Sequence, residues 1–199
     1  MRYFALILAA ALAAPLTAAA IEVGQPAPAF SARDAEGRPV TLASLRGKTV
    51  VLEWTNNGCP FVGHMYSSGV MQRLQRQAAA DGLVWLSVIS SAPGRQGYLT
   101  APEVKAWKAR TGAAPADVLL DATGAMGRQF DARTTPDMFV IDGAGRLVYA
   151  GAIDDTPSTR PDDAKTAKNY VVLALQAIKA GRPVSPAATQ SYGCSVKYG

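Results

Sequence analysis

Apolar residues change their spacing at well-marked places along the chain, and the changes lay out an alternation of strands and helices. "TVVLEW" at 49–54 is a compact β-branched run, as expected of a buried strand. Asn56-Asn57-Gly58 ends it with a turn signal. From 60 to 80 the spacing becomes helical, with Val62, Met65, Tyr66, Val70 and Leu74 recurring at three- and four-residue steps. "GLVWLSVISS" (82–91) is a second continuous apolar strand. "APEVKAWKARTG" (101–112) reads as a helix with Pro102 near its start and Gly112 as its stop. "ADVLLD" is a short strand and "ATGAMGRQFD" a short helix or turn. "TTPDMFVID" (134–142) and "GAGRLVYAGAI" (143–153) predict two strands joined by a tight turn at Gly143-Ala144-Gly145. "AKTAKNYVVLALQAIKAG" (164–181) predicts an amphipathic helix ended by Gly181, and "DDTPSTRPDD" (154–163) reads as a linker.

Ahead of these lie a Pro-rich segment, "VGQPAPAF", and a stretch with a turn at Glu36-Gly37 and a short extended piece. Strand–helix–strand–helix, then a hairpin and a closing helix, predicts an α/β sandwich. Two continuous apolar strands joined by a helix favour a parallel central pair covered on both faces. The expected organisation is one domain over 21–183, followed by a tail over 184–199 that carries Cys194.

Composition refines this picture at three points. The 199-residue chain carries a formal net charge of +5, but its Lys and Arg are dispersed, which excludes a nucleic-acid partner as the leading expectation. The first 20 residues hold one early Arg, an apolar stretch from Phe4 to Ala14, and Ala18-Ala19-Ala20. That is the layout of a removable signal peptide, and it is shorter and richer in Ala than a membrane span of about 20 strongly apolar residues. The expected location is outside the cytoplasm, in a bacterial periplasm, with no membrane association after removal. Two cysteines, Cys59 and Cys194, then sit where a disulfide is permitted.

Cys59 lies between Gly58 and Pro60 at the strand-to-helix junction. Proline is favoured at the first helical position, which makes Cys59 the N-cap. Free helix N–H groups and the positive end of the helix dipole would there stabilise a thiolate. A buried structural cysteine fits such a junction poorly.

"VGQPAPAFSARDAEGRPVTLASLRGKTVVLEWTNNGCP" resembles the opening of exported redoxins of the thioredoxin-like superfamily. "TTPDMFVID" resembles that fold's cis-proline loop. Together with "CPFV" and "YGCSVKYG", these stretches are similar to a peroxiredoxin-like, AhpC/TSA-related subgroup with a single cysteine in the thioredoxin motif. The resemblance implies a thioredoxin-like fold with a mixed β-sheet. It also implies that Cys59 is the nucleophile, with Pro60, Phe61, Thr135 and Pro136 facing the substrate and the Thr135-Pro136 bond cis. The exposed N–H and C=O of Thr135 would pair with an extended substrate chain.

Val62 stands where thioredoxins have their second cysteine, and Asn56 where peroxiredoxins have Thr or Ser. The resemblance thus aligns Cys59 with the thioredoxin nucleophile, which favours thiol–disulfide exchange over hydroperoxide reduction. Glu53 is a carboxylate in a buried strand, which requires a partner or a task. The resemblance places a proton-exchanging acid there. Cys194 is within reach as a resolving thiol. His64, the only histidine, lies roughly 140° round the helix from Cys59, so direct pairing of the two is not expected. It reads as an exposed or half-buried helix residue.

The expected partners are protein or small-molecule disulfides and thiols, together with a redox partner. No cofactor and no resident metal are called for. A thiol peroxidase working through a Cys59 sulfenic acid is one competing reading. A Cu(I)-binding or chaperone module using Cys59, His64, Met65 and Cys194 is another.

Overall fold

The computed structural model describes residues 21–199. The expected signal peptide lies outside the described residues. Seven strands form one mixed sheet: β1 (Ser31–Asp34), β2 (Pro39–Thr41), β3 (Val50–Trp54), β4 (Val84–Ile89), β5 (Asp117–Leu120), β7 (Asp137–Ile141) and β8 (Leu147–Gly151). Their order is β2-β1-β5-β4-β3-β7-β8. The central strands β3, β4 and β5 run parallel, with Val51 beside Trp85 and Val88 beside Leu119, while β7 joins β3 antiparallel.

Alternation along β3 sends its side chains to two cores. Val51 belongs to one with Trp85, Val118, Met138 and Tyr149. That face is covered by α1 (Pro60–Ser67), α2 (Val70–Ala80), α3 (Ala101–Thr111) and α6 (Tyr170–Lys179). Val50, Leu52 and Trp54 point to the other, where α4 (Ala125–Gln129) and the Pro-rich segment supply Met126, Phe130, Ala27 and Phe30. Trp54 packs on Phe130 and Phe139 with ring centroids 5.4 and 5.1 Å apart.

Four expectations need correction. The helix over 60–80 is two helices, because Gly69 adopts φ 78°, a left-handed conformation open to glycine, and Ser68 caps α1. The helix over 164–181 is also broken. It becomes α5 (Pro161–Thr166) and α6, because Ala167 turns extended and the Asn169 side chain accepts from the Val172 N–H at 2.9 Å, starting a new helix. The stretch 154–163 is no free linker: Asp154 pairs with Asn169, and Thr156 donates to Asp154 at 2.9 Å. The run 134–142 is not one strand. Thr134–Thr135 (β6) leaves the large sheet and pairs antiparallel with β9 (Cys194–Ser195) of the tail.

Candidate active site

β3 delivers the chain to the carboxyl edge of the sheet, where α/β folds commonly place their sites. There Asn56 turns it. Its Oδ1 accepts from the Gly58 N–H at 2.8 Å, its backbone carbonyl accepts from the Cys59 N–H at 3.0 Å, and Gln96 donates to the Gly58 carbonyl at 3.0 Å. Pro60 opens α1 and Cys59 is its N-cap, with φ −86° and ψ 123°. The first-turn amides of Val62 and Gly63 bond the Cys59 carbonyl at 3.1 and 2.8 Å.

Across from Cys59 stands the Thr135-Pro136 peptide, which is cis. The Cys59 thiol donates to the Thr135 carbonyl at 3.1 Å. Thr135 in turn pairs in register with Cys194, so the tail brings the second thiol onto the first. Both cysteines are free thiols. Cys59 is 1% exposed and Cys194 partly exposed.

Burial pushes the Cys59 thiol up. Hydrogen bonds outweigh it, from the Cys194 thiol, the Thr135 hydroxyl and the Val62 amide, and hold Cys59 below the ordinary thiol value. The Thr135 carbonyl accepts from the protonated thiol, while the Thr135 hydroxyl beside it donates to the Cys194 carbonyl at 3.4 Å. Cys194 is pushed up to about 11, first by burial and then by donating to and facing Cys59, with Lys197 opposing. In Cys194→Ser the serine hydroxyl can still donate, so Cys59 is expected to alkylate with a pKa below about 8.5. In Cys59→Ser, Cys194 is expected to titrate above that reference, because its burial remains. Alkylation rate against pH for the two variants checks the order, and a reversed order would refute the assignment of Cys59 as nucleophile.

Glu53 is fully buried and makes no hydrogen bond to either thiol. Tyr66 donates to Oε1 at 3.0 Å, while Gln75, Trp85 and Ser87 donate to Oε2 at 3.1, 2.8 and 2.9 Å. Burial raises its pKa against the pull of these four donors. The acid ties α1 and α2 to β4, and so fixes the helix that carries Cys59.

His64 is buried, contrary to expectation, because α1 packs against α5, and neither of its ring nitrogens has a partner. Among the described residues, the one group of three or more His, Cys, Asp or Glu close enough to share a metal is Asp34, Glu36 and Asp117. His64 and the two thiols do not form such a group.

The sequence reading missed what holds the tail. Phe61 packs edge-on against Tyr192, with centroids 5.9 Å apart, and the Tyr192 hydroxyl donates to Asp154. Gly193 has φ 130°, and a Cβ there would collide with the Thr135 carbonyl. "YGC" was the available signal, a glycine beside a cysteine where a chain must lie flat on another backbone. Thr135, expected to be exposed, is 2% exposed because the tail pairs with it.

A cysteine capping the first helix after a central parallel strand, facing a cis-proline loop, defines a thioredoxin-like redoxin. The fold is shared with solved structures. A hypothetical protein from Sinorhizobium meliloti is 27% identical, with TM-score 0.77, covering 91% of this chain and 97% of that one. An uncharacterised conserved protein from Geobacillus kaustophilus is 26% identical, with TM-score 0.75 and coverage of 89% and 93%. A putative thiol:disulfide interchange protein from Chlorobium tepidum, at 20% identity and TM-score 0.56, with coverage of 79% and 98%, shares the fold. No curated protein matches the sequence. The chain belongs to the AhpC/TSA family, which matches residues 23–150.

Proposed function

We propose that the protein is a thiol–disulfide oxidoreductase in which Cys59 and Cys194 work as a pair. The observation that carries this reading is the register Thr135↔Cys194, which sets the tail thiol against Cys59. The Cys59 thiolate attacks one sulfur of a substrate disulfide and expels one thiolate, leaving a mixed disulfide. Cys194, after losing its proton, attacks the Cys59 sulfur and expels the second thiolate. Two electrons pass from the dithiol to the substrate, and the two protons of the cysteines end on the two product thiols. Two external thiols, or one dithiol, then reduce the Cys59–Cys194 disulfide back to the dithiol and are themselves oxidised to a disulfide. Pro60, Phe61, Thr135 and Pro136 frame the sulfur, and Glu53 holds the helix beneath it. The apolar 1–20 stretch supports export to a compartment where such a disulfide persists. Among the described residues no helix is long and apolar enough to cross a membrane.

One observation favours a second reading. The near-complete burial of Cys59 suits a small oxidant, and a hydroperoxide would convert it to a sulfenic acid that Cys194 condenses with, releasing water. Peptide mapping of the oxidised protein tests the shared core of both readings, with a Cys59–Cys194 disulfide expected. Oxidation that leaves both thiols unpaired with each other would sink both. Catalysed exchange between a small disulfide and dithiothreitol, set against peroxide consumption, separates them.

A further inference from the structure

The tail that supplies Cys194 also occupies the ground on which a substrate chain would lie. Adjacent strands sit about 4.8 Å apart. A protein segment pairing with Thr134–Thr135 needs that place, and Cys194–Ser195 already fills it. Gly193 lies so close to the Thr135 carbonyl that even a methyl group has no room.

The tail is pinned on both sides of Cys194. Upstream, the Thr189 hydroxyl accepts from the Ala152 N–H at 2.9 Å, and Tyr192 is held by Phe61 and Asp154. Downstream, Val196 N–H donates to the Arg133 carbonyl at 3.0 Å and Ala92 N–H to the Lys197 carbonyl at 2.9 Å. The Tyr198 hydroxyl donates to the Ala132 carbonyl at 2.7 Å. The Arg128 guanidinium lies 4.4 Å over the Tyr198 ring and donates to the Gly199 carbonyl at 2.9 Å.

We infer that the docked tail restricts Cys59 to low-molecular-weight disulfides and excludes folded proteins, with Arg128 and Tyr198 among the residues that set the limit. The inference rests on the thiol-exchange reading above. A small disulfide, R–S–S–R with a short R group, needs only the Cys194 side chain and its immediate neighbours to shift, and rotamer changes of that kind are fast. A protein disulfide needs the whole strand lifted, and all the anchors must break together. The electron balance is that of the two-step exchange given above, with two R–SH released.

The experiment compares 2-hydroxyethyl disulfide with insulin as substrates, using dithiothreitol as reductant, for the full chain and for Arg128→Ala/Tyr198→Ala. The full chain is expected to prefer the small disulfide by about a hundredfold or more, and the double variant to narrow that ratio about tenfold by gaining insulin reduction, as local opening becomes easier. Insulin turnover equal to that of the small disulfide, or a ratio unmoved in the variant, would overturn the inference. A second measurement does not depend on turnover or on the double variant. In Cys194→Ser, Cys59 is expected to react far faster with N-ethylmaleimide than with a polymer-linked maleimide, the gap closing in urea. Equal rates in the folded protein would also overturn the inference. No turnover with either disulfide would count against the exchange reading alone, and the maleimide gap would then decide closure by itself.

Discussion

Cys59→Ser is expected to lower disulfide exchange by at least about a thousandfold, since a serine hydroxyl stays protonated where the thiolate is the attacking species. Cys194→Ser is expected to fail differently. Its Cys59 still attacks, but nothing in the chain resolves the product, so the variant accumulates a mixed disulfide with a small substrate. Intact-mass measurement after brief exposure to 2-hydroxyethyl disulfide reads this directly. An adduct on Cys59→Ser, or none on Cys194→Ser, would reverse the roles of the two cysteines. The asymmetry follows from their settings, since the Cys194 and Thr135 side chains and the Val62 amide favour charge on Cys59 against its burial, while burial and the facing sulfur disfavour it on Cys194.

Glu53→Leu is expected to cost about 3–5 kcal/mol of stability, the largest loss from any single change considered. Tyr66, Gln75, Trp85 and Ser87 all donate to this carboxyl group in a dry interior, and Leu leaves Tyr66, Trp85 and Ser87 without an acceptor, while Gln75 keeps only its 3.0 Å bond to the Tyr66 hydroxyl. Glu53→Gln is expected to cost much less. Its carbonyl can take the place of Oε2, and its amide can donate to the Tyr66 hydroxyl.

The pH dependence supplies the sign. Glu53 has a raised pKa in the folded chain, so its contribution to stability is full below the unfolded value and declines as pH rises through the folded one. Glu53→Gln should flatten that decline in urea titrations taken on both sides of the unfolded value. A wild-type slope that survives the substitution unchanged would mean that other buried carboxyls, such as Asp137 with its pKa raised to about 6, carry it.

Most of the sheet was legible because its strands are local statements. "TVVLEW" and "GLVWLSVISS" are apolar on both faces, and only a central position between two helical layers uses such a run. The Gly-Cys-Pro junction was legible for the same reason, since N-cap chemistry spans only a few neighbours. The helix breaks at Gly69 and Ala167 were hidden by apolar spacing that continues across them. The tail was illegible because its pairing is long-range. Nothing near Cys194 in the sequence names Thr135 as its neighbour, and the tail's polar, Pro-containing composition resembles that of a free segment. His64 was misplaced for a related reason: α1 alone does not reveal that α5 covers it.

The pairing of β6 with β9 also orders events during biosynthesis. Cys59 and Cys194 are 135 positions apart, and at typical synthesis rates the second follows the first by on the order of 10 s. Through that interval β3 and α1 are present while the strand that will cover Cys59 is not. The Cys59 thiol is thus uncovered at the stage when foreign thiols and other nascent chains are within reach, and its burial must wait for the segment that carries β9.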